Sequence, residues 1–149
     1  MKLSEDEREL LQTEVAQALD QVRSPELRVR YAELMTAVDQ SEVPDDLLEP
    51  LQTLLEIGLE SGRVRKVHLA PGEMTARRLF SRTPRGKALE AGAAEVNQAL
   101  EAVVGHPIED ARVSATGPGS FSLTLTTDEG TLLLQFSRAG VTLRSVEVG

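Results

Sequence analysis

The apolar residues of this chain change period once, and that change decides the class of fold open to it. As far as Gly105 they recur every three or four positions, as on one face of a helix; beyond Pro107 they recur every second position, as on one face of a strand. Phe121, Leu123 and Leu125 alternate with Ser120, Ser122, Thr124 and Thr126, and Leu132, Leu134 and Phe136 alternate with Gln135 and Ser137. The connections Asp128-Glu129-Gly130 and Arg138-Ala139-Gly140 each end in glycine, which a hairpin loop favours at a left-handed position. A strand over 111–116, the turn Gly117-Pro118-Gly119 and a last strand over 141–148 complete a four-stranded antiparallel meander. Such a sheet has one apolar face and needs cover on that side only. The stripe Leu89, Ala93, Val96, Leu100 and Val103 of the preceding helix is the nearest cover. The expected class is therefore α+β: a helical N-terminal domain, then a meander packed on a linking helix, with a boundary near residue 90 giving domains 1–90 and 91–149.

Local signals divide the helical part. Ser4 and Glu7 stand at the spacing of a capping box, and Leu11, Val15, Ala18, Leu19 and Val22 follow as one stripe. Ser24-Pro25 reads as N-cap and first helical position of a second helix with Leu27, Tyr31, Leu34 and Val38 on its apolar face. The third helix, over 44–61, is so rich in leucine that the other two must wrap it, and Gly62 ends it. Residues 63–69, the turn Ala70-Pro71-Gly72-Glu73 and residues 74–82 read as a β-hairpin. Thr83-Pro84 then restarts a helix.

The chemical inventory is narrow. The chain has 149 residues and no cysteine, which excludes disulfides, thiolate metal sites and cysteine nucleophiles. Its two histidines, His68 and His106, sit in no metal or triad spacing; His68 reads as a strand residue facing solvent or phosphate, and His106 as part of a loop. Gly117-Pro118-Gly119-Ser120 lacks the spacing of a nucleophile elbow, and Arg85-Gly86-Lys87 lacks the upstream glycine of a phosphate-binding loop. Acidic groups such as Glu5 with Glu9, or Asp45 with Asp46 and Glu49, lie in first turns of helices, where the dipole favours them as solvated charge. No apolar run is long enough for a membrane helix. A cytoplasmic, non-enzymatic binding protein without a cofactor or metal is expected.

Charge is strongly segregated. The chain carries a net charge of -8, yet between Gly62 and Ala88 stand Arg63, Arg65, Lys66, Arg77, Arg78, Arg82, Arg85 and Lys87 against Glu73 alone, a local charge of +7. These eight residues are the candidate binding set, for nucleic acid or for an acidic protein surface. The competing expectation is that they form a solvated hairpin charged against edge pairing, or that they dock on the acidic helices of the same chain.

Leu51, Leu54 and Leu55, then Gly58-Leu59, Gly62-Arg63-Val64, the hairpin and Phe80-Ser81-Arg82-Thr83-Pro84-Arg85-Gly86-Lys87-Ala88-Leu89 resemble the recognition helix, wing and exit helix of MarR-like and PadR-like winged-helix regulators. The resemblance covers roughly residues 5–104. It implies a DNA-binding domain whose third helix enters the major groove and whose wing touches backbone phosphate or the minor groove. The third helix departs from that pattern, since it holds Asp45, Asp46, Glu49, Glu56 and Glu60 and no lysine or arginine. Nucleic-acid binding through the basic hairpin is the leading expectation. The second is an adaptor docking an acidic protein through the same hairpin, and the third is a small enzyme or ligand carrier with its site in the sheet. A homodimer is also expected, through the last strand or through the linking helix.

Overall fold

A computed structural model describes residues 1–148, and the chain divides into two compact units, Met1–Gly86 and Lys87–Gly149. In the first unit, helix α1 spans Glu5–Gln21 and α2 Pro25–Asp39; a short 3-10 turn at Asp45–Leu47 leads into α3, Leu48–Glu60, and then comes α4, Arg63–Ser81. The capping box forms, with the Ser4 amide donating to Glu7 Oε2 at 3.0 Å. At the start of α2 the Ser24 hydroxyl accepts from the Leu27 amide. One core collects Leu11 and Val15 of α1, Leu34 and Val38 of α2, Leu51 and Leu55 of α3, and Val64 and Leu79 of α4. Leu27, expected in that core, is instead half exposed.

The expected β-hairpin is absent: residues 63–81 are helical, with one break at Leu69. Val64, Thr75, Ala76 and Leu79 are buried, and His68 and Gly72 are half-buried. That is a helical period, and a strand would have buried alternate residues. Pro71 does not mark a β-turn. It lies in the first turn of the stretch that resumes after Leu69, where a missing amide breaks no hydrogen bond. The wing implied by the winged-helix resemblance thus has no counterpart among the described residues.

Thr83 links the end of α4 to α5, Pro84–Glu101. Its fully buried hydroxyl donates to the Phe80 carbonyl at 2.7 Å and accepts from the Gly86 amide at 3.2 Å. In the second unit the strands β1 (Ile108–Gly117), β2 (Ser120–Thr127), β3 (Gly130–Ser137) and β4 (Gly140–Val148) pair in the order β1-β2-β3-β4, all antiparallel. Cross-strand partners share a face, so the register sets three apolar rows: Ala111 with Leu125, Leu132 and Val146; Val113 with Leu123, Leu134 and Leu143; and Ala115 with Phe121, Phe136 and Val141. Helix α5 lies on this face, burying Val96 against Leu132 and Leu134 and partly covering Leu123, Leu125, Val141 and Leu143. Of the two loop glycines, only Gly140 takes a positive φ, of 116°.

The tightest steric demand falls on Gly86. A Cβ there would stand 2.0 Å from the Phe80 carbonyl oxygen and 2.7 Å from Ser81 Cα, so the backbone of the α4–α5 turn would have to move. Gly86→Ala is expected to destabilise by about 1–3 kcal/mol in urea denaturation, although alanine has the higher helix propensity. An unchanged or raised midpoint would show that this turn is not so constrained.

Candidate interaction surface

Two carboxylates of α1 lie inside the protein. Glu7 and Glu14 have side chains 3% and 1% exposed, and both face α4. Arg78 Nε donates to Glu7 Oε1 at 3.1 Å, and Arg82 Nη1 reaches both Glu7 oxygens at 2.9 and 3.0 Å while its Nη2 donates to the Lys2 carbonyl. Arg78 also holds Asp6 at 2.7 Å, and the Thr75 hydroxyl donates to the same carboxylate. Further along α1, Arg63 Nη2 stands 2.7 Å from Glu14 Oε2 as an ion pair, its Nη1 donates to Gln17, and His68 Nε2 lies 3.0 Å from Glu14 Oε1. His68 is thus a half-buried helix residue against a carboxylate, and the expected solvent-facing strand position does not exist.

These contacts shift the titration of the acids. Hydrogen bonds from Ser4 and then Arg78 lower Asp6 from an ordinary 3.8 to about 2. Burial alone would raise the Glu7 carboxyl, but the Ser4 amide and the guanidiniums of Arg82 and Arg78 outweigh it, and the net shift is downward. Arg78 is correspondingly raised, first by its hydrogen bond to Asp6 and then by Glu7.

The eight predicted binding residues therefore fall into distinct groups. Arg63, Arg78 and Arg82 are held by α1, and Arg85 pairs with Glu56 of α3 at 2.9 Å. Lys87 is exposed and belongs to the second unit. Arg65, Lys66 and Arg77 remain around the break in α4. Arg65 and Arg77 share one carboxylate, Glu73, at 3.0 and 2.6 Å, with guanidinium side chains 70% and 69% exposed. Hydrogen bonds from Arg77 and then Arg65 lower Glu73, so it is ionised at neutral pH, yet it is one anion among three cations.

The same segment carries exposed apolar groups: Val67 is 51% exposed, Leu69 67% and Met74 70%. Leu69 has φ 60° and ψ -165°, a region that costs most residues roughly 1–3 kcal/mol and is occupied almost only by glycine. Other concavities are less distinctive. A groove of about 300 Å³ among Ala18, Val22, Leu27, Tyr31 and Ile57 has Arg63 at its edge, but Glu14 already neutralises that guanidinium. A cavity of about 70 Å³ beside Val103, Leu125, Leu132 and Val146 is far smaller than the several hundred Å³ typical of ligand pockets. Among the described residues, no cluster of three His, Asp or Glu could hold a metal ion, and no helix is long and apolar enough to cross a membrane.

Sequence reasoning assigned Glu7 only a capping role and gave Glu14 none. A signal was present: Glu7, Leu10, Leu11, Glu14, Val15 and Ala18 lie on one helical face, so two acids interrupt an apolar stripe and require partners inside the protein. Comparison with protein-family models, curated proteins and solved structures finds no match to this chain.

Because the folded carboxyls titrate lower than the unfolded ones, acid favours the unfolded chain. Stability should be level near neutrality, decline as the pH falls below about 4.5, and continue to decline towards 2. Glu7→Gln should cost about 1–3 kcal/mol at pH 7 and make the acid limb shallower, as read from thermal melts between pH 7 and 2. An unaltered acid limb would mean that Glu7 is not among the groups responsible.

Proposed function

We propose that this protein is a non-enzymatic adaptor that docks an acidic, partly apolar protein segment on the kink of α4, through Arg65, Lys66 and Arg77 together with Val67, Leu69 and Met74. The observation that carries this reading is the division of the arginines. Pairs made to a buried carboxylate cannot be given up cheaply, because the carboxylate would be left without a partner, at a cost of several kcal/mol. The pairs of Arg65 and Arg77 with Glu73 differ: both guanidiniums are about 70% exposed and share one carboxylate that is itself 15% exposed, so either arginine can turn to a partner's carboxylate while the other keeps Glu73 paired. Lys66 requires no exchange.

Nucleic-acid binding is the weaker reading, since it relied on eight cations on a hairpin and only three are available along one short surface. The five acids of residues 45–60 would also repel phosphate. On the same proposal the chain acts in the cytoplasm as a homodimer.

The discriminating measurement is fluorescence anisotropy with two probes, a labelled peptide alternating Glu with Leu and Phe, and a short DNA duplex. The peptide should bind with a micromolar dissociation constant, and Arg65→Glu with Lys66→Glu and Arg77→Glu should weaken it at least about tenfold without lowering the melting temperature. Tighter binding of the duplex, with a steep salt dependence that the triple variant flattens, would replace this reading with the nucleic-acid one.

Leu69 supplies a second check. Leu69→Gly should stabilise the chain by about 1–3 kcal/mol by relieving its backbone, yet weaken peptide binding by removing an exposed apolar contact. Weaker binding that is accompanied by lost stability would assign Leu69 a structural role instead.

A further inference from the structure

The register of the sheet leaves one edge uncovered. All ten residues of β1 are exposed, including those on the apolar face, where Val113 is 67% exposed and its row neighbours Leu123 and Leu134 are covered. Phe121 in the next strand is 47% exposed. Helix α5 therefore shelters the middle of the face, Leu123 and Leu125 of β2, Leu132 and Leu134 of β3 and Val141 and Leu143 of β4, while Phe136 and Val146 stay 40% and 48% exposed and Ala111, Val113 and Ala115 of β1 are bare. The opposite edge differs. Strand β4 carries an irregularity where Leu133 and Leu134 pair with Ser145 and Leu143, leaving Arg144 out of register, and bulges of this kind blunt edge pairing. In β1 the irregularities lie at Ile108/Asp110 and Ala115/Gly117, and Asp110–Ala115 between them pairs regularly. An unprotected regular edge with an apolar column is a template for another strand.

We infer that the occupant is β1 of a second copy, paired antiparallel across a two-fold axis centred on Ala111, so that two meanders join into one eight-stranded sheet. The charges of the strand select this register. Asp110 and Arg112 lie on the polar face, 54% and 73% exposed, with their charged groups 3.5 Å apart along the strand. Centring the axis on Arg112 would set two guanidiniums face to face, and centring it on Asp110 would oppose two carboxylates. Centring it on Val113 would leave the guanidiniums diagonal to each other. With the axis at Ala111, Asp110 of each copy stands opposite Arg112 of the other, and opposite charges in that position stabilise a strand pair. Ala111 meets Ala111 on the apolar face, small enough to let the strands close. This inference deepens the homodimer part of the proposal above and does not depend on the surface of α4. It also moves the interface away from the last strand and the linking helix, where the sequence had suggested it.

Pairing of one edge buries less than the roughly 1,200 Å² of a standard stable interface, so the dimer should be weak, with a dissociation constant of about 1–100 µM. Sedimentation velocity of the full chain should show concentration-dependent dimerisation. Arg112→Asp, which sets carboxylates against carboxylates, should weaken it at least about tenfold, and Asp110→Arg with Arg112→Asp should restore it. The natural chain has no cysteine, so single-cysteine variants give a clean map of the register. Ala111→Cys should form a disulfide-linked dimer under mild oxidation, while Val113→Cys and Ala115→Cys should lag. A chain that stays monomeric at about 100 µM would sink both the dimer and this interface. A dimer indifferent to the charge swap, or cross-linking fastest away from Ala111, would overturn the β1 pairing and leave the homodimer standing.

Discussion

Two carboxylates placed inside a helical core set the terms for the first unit. Glu7 and Glu14 occupy core-facing positions of α1 and cannot be left without cations, because an unpaired buried carboxylate costs more than most single contacts return. Arginines and a histidine from α4 meet them, in antiparallel order: Arg78 and Arg82 at Glu7, Arg63 and His68 at Glu14. Along α1 the two acids are about 10 Å apart, whereas in a straight helix the two cation groups would be about 20 Å apart. The long arginine side chains and the corner at Leu69 take up the difference. The corner at Leu69 thus has a use in the rest of the unit: it lies between the two cation groups that meet Glu14 and Glu7.

That use accounts for the backbone of Leu69 but not for its side chain. Glycine would occupy the same conformation at lower cost, and a leucine that is two-thirds exposed contributes little to the core. In an isolated chain the residue is a liability, as are the neighbouring Val67 and Met74. In the proposed complex, their burial beside Arg65, Lys66 and Arg77 would supply the apolar contact that charge alone lacks. The kink serves the interior, and its exposed residues suit an exterior use.

The part of the fold with a single unambiguous period was the part most legible in the sequence. Alternation over residues 120–137 specified strands, loops and the apolar face, and Ser4, Ser24 and Thr83 marked three helix starts that the structure contains. Residues 63–82 misled for a physical reason: Pro71-Gly72 is turn chemistry, and valines at 64 and 67 favour strands, so local propensity pointed to a hairpin. Tertiary demand reversed it, since the cations needed a helical spacing to reach α1. The basic residues themselves were legible, but not their use, because a charge run looks alike whether it faces solvent, a partner or the chain's own acids. The two acids within the α1 stripe were the only sequence sign of the last alternative. The uncovered edge of β1 was less legible still, since it depends on how far one helix extends over a sheet.

The two proposed surfaces have different strengths and complementary consequences. The α4 corner offers few contacts and would bind a single segment weakly, and the β1 edge would hold two copies together only at micromolar concentration. A dimer carries two α4 corners, and a partner with two acidic segments engaging both would convert the second contact into an intramolecular one, raising the overall affinity well beyond that of either site. Engagement of both corners would in turn hold the two copies together, because binding that requires the dimer stabilises it by mass action. On these proposals, assembly below micromolar concentration depends on a bivalent partner. The two weaknesses have separate causes: half of the eight cations between Arg63 and Lys87 are committed to carboxylates of the same chain, which leaves little charge at the α4 corner, and the β1 edge is limited by the small area that one strand pairing buries.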